Sequence, residues 1–281
     1  MSNLKDLENK SIYIIREVKS RFKNPAVMCS FGKDSTVLLY LIRKAFNGKI
    51  PFKVIHIDTT FKFSEIYKFR DEFVKNWDID LVISKNKEAL RKEMSPEKGR
   101  FECCNQLKTQ ALRQCIEDNN FDVVLAGIRR DEHGIRNKEN YFSPRDKDFK
   151  WRVSEEDKSG DSGLKSLQDP EFSGWGIYAT YFGKETDHVR CHPLLHWTEI
   201  DIWEYIKKEK IKVNSLYFAK NGKRHRSLGC ECCCSPIDSN ANTVDKIIKE
   251  LETTKTPERS GRAQDKENEY NMQKLRSLGY M

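Results

Sequence analysis

The stretch SFGKDST, residues 30–36, lies between the apolar run AVMC, residues 26–29, and a helical pattern that continues to Phe46. A turn between a buried strand and a helix exposes backbone N–H groups at the helix N-terminus, which favours anion binding. Gly32 allows close approach of the backbone, and Lys33 adds positive charge. Three hydroxyl side chains add hydrogen-bond donors: Ser30, Ser35 and Thr36. The stretch lacks the Walker A spacing, so it predicts a different phosphate-binding turn, the alternative being a plain helix N-cap.

Strand and helix patterns alternate on both sides of this turn. Strands are predicted at residues 26–29, 52–57, 80–83 and 121–126, and helices at 3–22, 36–46, 63–77 and 105–118. This alternation predicts an α/β fold with a five-stranded parallel sheet sandwiched by helices and a C-terminal excursion. We expect an ATP-binding domain over residues 1–225, and a segment over 226–281 with the cysteine cluster and a helical tail. Residues 131–187 break the pattern and predict either a solvated loop or an excursion that folds over a ligand.

The composition limits the class of protein. Hydrophobic residues are 37% and charged residues 33% of the 281, which excludes disordered and collagenous chains. No apolar run approaches the ~18 residues of a membrane span, and the polar start MSNLKDLENK is not a secretory signal. We therefore expect a cytoplasmic protein without a membrane partner. The net charge of +8 suits an anionic ligand but is too dispersed to indicate nucleic-acid binding by itself.

Further motifs follow the other strands and occupy the tail. They are HIDT at 56–59, GIRRDE at 127–132, HPL at 192–194, WTEIDIW at 197–203 and ERSGRAQD at 258–265. Together with SFGKDST, they resemble the phosphoadenosine phosphosulfate (PAPS) reductase family, including its sulfate adenylyltransferase small subunits. That family belongs to the PP-loop adenine nucleotide alpha hydrolase superfamily. The resemblance runs from about residue 10 to the C-terminus and implies cleavage of ATP between its α and β phosphates.

The resemblance, with the meeting of strand ends at one edge of a parallel sheet, implies a site for ATP and Mg²⁺. The expected ATP-binding residues are Ser30, Phe31, Gly32, Lys33, Asp34, Ser35, Thr36, His56, Asp58, Thr59 and Gly127. The expected catalytic residues are Lys33, Asp34, Arg129, Arg130 and Asp131. The two arginines suit a phosphate clamp, although a surface ion pair with Asp131 and Glu132 is the alternative. Three carboxylates suit Mg²⁺: Asp34, Asp58 and Asp131.

The chain has nine cysteines, and their clustering without a signal peptide indicates metal binding rather than disulfides. The Cys-Cys pair at 103–104 and the run CECCC at 230–234 resemble the ligands of the [4Fe–4S] cluster in adenylyl-sulfate reductases. The resemblance implies the ligands Cys103, Cys104, Cys230 and Cys233, with Cys232 or Cys234 as ligands in a shifted register. Structural Zn²⁺ and chance clustering of buried cysteines are the alternatives. Because no cysteine follows Cys234, the tail lacks the catalytic thiol of those reductases. Reduction of adenylyl sulfate, with Cys232 or Cys234 as the substitute thiol, is therefore a disfavoured alternative.

An ATP-cleaving chain with an iron–sulfur cluster resembles the ATP pyrophosphatase component of Dnd and Ssp DNA phosphorothioation systems. This resemblance implies AMP transfer to a DNA phosphate oxygen, with sulfur from a cysteine desulfurase and further phosphorothioation proteins as partners. The basic run at 220–226 would then contact DNA, or else be a solvated loop. One alternative is a sulfate adenylyltransferase small subunit with a GTPase partner. The other is a non-catalytic, nucleotide-gated metal-binding module that recruits a desulfurase.

Overall fold

The computed structural model describes residues 4–132, 136, 139–150, 186–262, 274–275 and 278. Within these residues the chain alternates strands and helices, as the sequence predicts. The helices are α1 Leu4–Arg21, α2 Lys33–Ala45, α3 Ser64–Trp77, α4 Lys87–Arg91, α5 Arg100–Cys104, α6 Ala111–Asn119, α7 Glu199–Glu209 and α8 Val244–Thr253. The strands are β1 Pro25–Met28, β2 Lys53–Ile57, β3 Leu81–Ser84, β4 Val123–Leu125, β5 Phe142–Arg145, β6 His188–Cys191, β7 Lys223–Arg224 and β8 Ile237–Asp238.

The central sheet has six strands in the order β3-β2-β1-β4-β6-β5. Strands β3, β2, β1, β4 and β6 run parallel, and β5 pairs with β6 in the antiparallel sense. The predicted α/β fold is confirmed, with one antiparallel strand added at the edge. The sequence analysis missed β5 and β6 because each has four residues and carries arginine among its apolar residues.

Strand β5 lies inside the predicted excursion at 131–187, so this region is not irregular throughout. Most of the rest of the excursion lies outside the described residues, including five aromatic residues: Trp151, Phe172, Trp175, Tyr178 and Tyr181. The predicted division of the chain after residue 225 stays a prediction, although β7 and β8 pair across it. No described helix is long and apolar enough to cross a membrane.

The sheet is covered by hydrophobic packing on both faces. Val27 of β1 belongs to a large cluster with side chains of α1, α2 and α7, whereas its neighbours Ala26 and Met28 belong to a second cluster with α6. Successive side chains of a strand point to opposite faces, so one short apolar strand supports both layers. Strands β1, β4 and β6 therefore lie inside the molecule, whereas β3 at the edge of the sheet is partly exposed. The carboxyl ends of the parallel strands form one polar edge.

A π-helical segment, Asn105–Gln110, connects α5 to α6. The sequence pattern predicts an uninterrupted helix from residue 105 to 118, since periodicity does not distinguish a π-turn from an α-turn. Such segments are rare and occur frequently at functional sites. This one places Lys108 and Thr109 on the wall of the main pocket.

Candidate nucleotide site and cysteine cluster

The turn between β1 and α2 directs a helix N-terminus towards the pocket. Phe31 has a left-handed backbone with φ of 58°, and its ring is fully buried against His56. Gly32 is the N-cap of α2 and lines the pocket, so its backbone is accessible there. The N–H of Lys33 donates to the Tyr217 hydroxyl at 2.8 Å. The partial positive charge of a helix N-terminus therefore faces the pocket beside a lysine.

The pocket at the carboxyl edge of the sheet combines three kinds of lining. One part is apolar and belongs to the hydrophobic cluster beneath α6: Met28, Ile57, Leu112, Ala126 and Ile128. The second is the turn itself, with Ser30, Gly32, Lys33, Asp34 and Ser35. The third is a set of basic side chains that the sequence analysis missed: Lys62, Lys108, Arg136, Arg259 and Arg262. An apolar wall, an anion-binding turn and further cations suit a nucleotide with a charged second substrate.

Gly127, at the end of β4, lies against the turn. A Cβ atom built on it would lie 3.1 Å from the Asp34 carbonyl carbon and 3.2 Å from the Ser35 nitrogen. Both neighbours are backbone atoms, which do not move aside as a flexible side chain would. The absence of a side chain at Gly127 therefore lets the turn pack directly on β4.

Two buried cations form the centre of the site. Arg129, from the segment after β4, is 0% exposed, and its Nε lies 2.7 Å from Asp34 Oδ1. Its guanidinium also pairs with Asp131 at 2.7 Å, and both it and the Lys33 ammonium contact the Glu258 carboxylate. Burial lowers the pKa of Lys33, but Asp34 and Glu258 outweigh it and raise that pKa above its usual range. Both cations therefore remain charged inside the protein.

Glu258 belongs to the tail motif, which lies across the pocket. Arg259 pairs with Glu132 at 3.2 Å, and Arg262 donates to the Ser227 hydroxyl at 3.0 Å. Burial raises the pKa of the Glu258 carboxyl, and the Lys33 and Arg129 cations oppose this rise. The sequence analysis used the tail motif only for the resemblance and assigned no site residue to it. The sequence feature that could have indicated a role in the site is the presence of both acidic and basic residues in this motif.

Arg130 and Asp131, both expected to be catalytic, do not line the pocket. The Arg130 guanidinium contacts His196 Nε2 at 2.9 Å and donates to the Glu139 carbonyl at 3.0 Å. Asp131 accepts hydrogen bonds from Arg129 and from the Glu199 N–H at 2.7 Å. Asp131 therefore orients Arg129. Arg129 does not line the pocket itself, but its guanidinium contacts Asp34 and Glu258, which do.

His56 and Asp58 lie at the end of β2 but do not line the pocket either. His56 is buried, donates from Nδ1 to the Cys29 carbonyl at 2.9 Å, and has its pKa lowered to about 3 by burial. Asp58 pairs with Lys85 at 2.9 Å and accepts from the Tyr67 hydroxyl at 2.7 Å. These contacts give both residues internal partners. Thr59, the next residue, does line the pocket.

The four expected metal ligands lie close together beside the pocket. Cys103, Cys104, Cys230 and Cys233 are all buried, although their two segments are far apart in sequence. Burial, together with the three other thiols, raises the pKa of Cys103 to about 12. Cys232 is exposed beside Cys233. Cys234 instead packs in the main hydrophobic cluster, which favours the register that uses Cys233.

The four cysteines match the ligands of a [4Fe–4S] cluster in type and number. No three His, Cys, Asp or Glu side chains of the described residues are arranged to hold one metal ion. In a [4Fe–4S] cluster each thiolate binds a different iron, so the four sulfurs stand further apart than the ligands of one ion. Four buried thiols from two segments meet that requirement in type and number. Three further cysteines, Cys29, Cys115 and Cys191, are also buried.

The basic run at 220–226 does not form an exposed cationic surface. Arg224 is 1% exposed and pairs with Glu250, and Arg226 pairs with Glu199 at 2.7 Å. The expected DNA contact here is therefore wrong, because the arginines that would reach phosphates are used inside the fold. Among the basic residues of the run, only Lys220 and Lys223 are exposed.

Comparison with known proteins places this site in a family. The model of the phosphoadenosine phosphosulfate reductase domain matches residues 24–236. The chain therefore belongs to the PAPS reductase domain family. Within it, the chain is 39% identical to the sulfate adenylyltransferase subunit 2 of Akkermansia muciniphila, over 100% of this chain and 98% of that protein. It is 38% identical to the subunit of the same name from Rhizobium meliloti, over 99% of this chain and 93% of that one.

Solved structures agree on the fold. The PAPS reductase of Candida auris superposes with a TM-score of 0.55 at 17% identity, over 84% of this chain and 98% of that chain. The FMN adenylyltransferase of Candida glabrata superposes with a TM-score of 0.55 at 17% identity, over 92% and 87%. At such low identity these likenesses support the α/β architecture alone.

The prediction of DNA phosphorothioation is wrong, and so is the prediction of a desulfurase and phosphorothioation proteins as partners. Relatives that match the whole chain at 37–39% identity are named sulfate adenylyltransferase subunit 2. The error came from giving the local cysteine cluster more weight than motifs spread over the whole chain. The six clustered cysteines bear only on which metal the chain could bind. The pocket residues and the tail bear on which reaction it could catalyse.

Proposed function

We propose that this chain is the ATP-cleaving subunit of a sulfate adenylyltransferase, which converts ATP and sulfate to adenylyl sulfate and pyrophosphate. The observation that carries the proposal is full-length similarity to sulfate adenylyltransferase subunit 2, at 39% identity over 100% of this chain. The pocket supports it, because the apolar wall suits adenine, the turn suits the polyphosphate and the remaining cations suit a small anion.

In the proposed reaction, a sulfate oxygen attacks the α-phosphorus of ATP. The new bond joins sulfate to AMP, the bond from the α-phosphorus to the bridging oxygen breaks, and pyrophosphate leaves with that oxygen. Lys33 and the amides at the start of α2 would hold the β and γ phosphates, and Arg129 would stabilise the charge that develops at the α-phosphate. The Glu258 carboxylate now shares these two cations, so the phosphates would compete with it for them.

We propose that Mg²⁺ enters with the nucleotide. The pocket carboxylates Asp34, Glu132 and Glu258 are each paired with a cation, so they do not form a separate cage for a metal. Protein-bound Mg²⁺ commonly uses one or two carboxylates together with substrate phosphates. Asp34 would be its protein ligand, since it lies in the turn itself.

We also propose that the chain works with a second subunit. The relatives carry the name subunit 2, and the resemblance to sulfate adenylyltransferase small subunits implies a GTPase as the partner. Adenylyl sulfate contains a mixed anhydride of phosphate and sulfate, which forms unfavourably from ATP. Hydrolysis of a second nucleotide by a partner would supply free energy for that step.

The test of the proposed function is sulfate-dependent exchange of labelled pyrophosphate into ATP, with the full-length chain and Mg²⁺. Exchange requires the adenylyl product to form and revert, so it does not depend on net accumulation of that product. We expect exchange with sulfate and none above background with chloride at equal ionic strength. Exchange that is independent of sulfate would contradict the proposal.

We propose that a [4Fe–4S] cluster occupies the cysteine site, held by Cys103, Cys104, Cys230 and Cys233. Sulfur ligands favour iron–sulfur clusters, and four thiolates are the usual complement. The cluster would join the end of α5 to the 230–234 segment and so fix one wall of the pocket. Gly229 of that segment lines the pocket directly.

Protein purified without oxygen is expected to be brown and to contain about four irons and four acid-labile sulfides per chain. The Cys230→Ser variant is expected to lose most of the iron, because it removes one of the four ligands. Cys115→Ser is the matched control, since Cys115 is buried in α6 away from the cluster. Iron and sulfide counts measure both. A wild-type protein that binds one zinc, or retention of all iron in Cys230→Ser, would contradict the assignment.

A further inference from the structure

Lys62 lines the nucleotide pocket, yet the ATP-binding assignments give it no role. It follows β2, is half-buried, and forms an antiparallel backbone bridge with Cys230. Its ammonium has no hydrogen bond or ion pair with any residue that the structure describes. Two other pocket cations contrast with it, since Lys33 pairs with Glu258 and Arg136 with Glu132. Asp58 and Cys230 are near enough to attract this ammonium, but neither pairs with it directly. A half-buried ammonium without a direct ionic partner favours a ligand that supplies one.

A second lysine lies near it. Lys108, from the π-helical segment, lines the same pocket and is close enough for the two ammoniums to repel each other. Thr59 lines the same pocket, and its hydroxyl lies 3.1 Å from Cys230 Sγ. A cleft lined by charges of one sign attracts a ligand of the opposite sign. This corner of the pocket is therefore suited to a small anion that carries more than one charge.

The rest of the pocket already suits ATP. The apolar wall is formed by the cluster under α6, and the polyphosphate part is the turn with Lys33. In a displacement at the α-phosphorus, the attacking and leaving oxygens lie roughly in line on opposite sides. The acceptor therefore needs a binding place separate from the turn that holds the leaving pyrophosphate.

We propose that Lys62 binds the acceptor, a tetrahedral dianion such as sulfate, and holds it for attack on the α-phosphate. This inference rests on the proposed function for the identity of the acceptor. Lys62 is a binding residue for the second substrate and leaves ATP binding to the turn. A charge-assisted contact of this kind affects acceptor affinity by about 10- to 100-fold.

The first test measures binding without turnover. Sulfate is titrated into the full-length chain saturated with α,β-methylene-ATP, at constant ionic strength with chloride, and the thermal midpoint is followed. We expect sulfate to raise the midpoint of the wild type and of Lys62→Arg, but not of Lys62→Met. Lys68→Met is the matched control, because Lys68 is an exposed lysine of α3 outside the pocket. All variants are expected to respond equally to the ATP analogue.

The second test uses the sulfate-dependent pyrophosphate exchange. Lys62→Met is expected to raise the KM for sulfate by about 10- to 100-fold and to leave the KM for ATP within about twofold. Iron content and the visible spectrum are recorded for the same samples, since Cys230 contacts this residue. These tests separate the anion site from the proposed reaction. A sulfate-induced thermal shift that depends on Lys62 would support the anion site. Absence of exchange in the wild type would at the same time contradict the proposed reaction.

Three results would overturn the inference. The first is an unchanged thermal response to sulfate in Lys62→Met. The second is an equal rise in KM for ATP and sulfate, which would place Lys62 at the nucleotide. The third is loss of iron in Lys62→Met with the sulfate response intact, because Lys62 would then serve the cysteine site alone.

Discussion

Replacing Lys33 by alanine is expected to lower sulfate-dependent turnover of ATP by about 10²- to 10³-fold, the usual effect of removing one preorganised group that stabilises developing charge. Lys33 is 1% exposed at the start of α2, where it shares the Glu258 carboxylate with Arg129. Its positive charge is the one that the turn itself contributes to the phosphates. Pyrophosphate release at saturating sulfate measures the effect.

Loss of a buried cation also affects stability, so folding must be measured separately. Lys33→Met keeps most of the side-chain volume, and its circular dichroism and thermal midpoint report whether the fold is retained. Lys44→Ala is the matched control, since Lys44 lies on the same helix but is 36% exposed and pairs with Glu8 and Glu209. A folded Lys33→Met protein with near wild-type turnover would exclude the turn as the phosphate site.

Replacing Arg129 by alanine is expected to reduce turnover by at least about 10²-fold and to destabilise the fold as well. Arg129 contacts three carboxylates, those of Asp34, Asp131 and Glu258. Removing one partner of a buried ion pair costs about 3–5 kcal/mol, because it leaves uncompensated charge inside the protein. Denaturant unfolding measures this loss, and pyrophosphate release measures the catalytic one.

Two further variants test the charge and the shape of the Arg129 side chain and its distinction from Arg130. Arg129→Lys keeps the charge but not the planar fork, so it should recover part of the stability and little of the turnover. Arg130→Ala removes the adjacent arginine, which contacts His196 and the Glu139 carbonyl instead of the pocket. We expect this change to lower turnover less than tenfold. An equal loss of turnover in Arg129→Ala and Arg130→Ala would contradict the orientation that separates the two side chains.

Local sequence patterns predicted much of the fold. The apolar run before SFGKDST is β1, and the helix after it begins at Lys33, three residues earlier than the pattern suggests. The alternation of strands and helices was sufficient to predict a parallel sheet. Strands β5 and β6 were not predictable in this way, because His188 and Arg190 look like surface residues until the fold buries them.

The candidate site was only partly predictable, for a similar reason. Most residues of the turn and Gly127 line the pocket, and the sequence could place them there because their positions at strand ends are local features. Tyr217, Glu258 and Lys62 come from distant segments, and only the folded chain shows that they meet at one pocket. His56, Asp58 and Arg130 were expected in the site because they occur within motifs. A motif fixes the position of the backbone, whereas the neighbours of each side chain decide where it points.

The most direct test of the central claim is the identity of the product. The full-length chain is incubated with ATP, Mg²⁺, labelled sulfate and inorganic pyrophosphatase, which removes pyrophosphate and so favours the forward reaction. The proposed function predicts labelled adenylyl sulfate, with one pyrophosphate released for each label transferred. Release of pyrophosphate from ATP without transfer of label to adenylyl sulfate would contradict it.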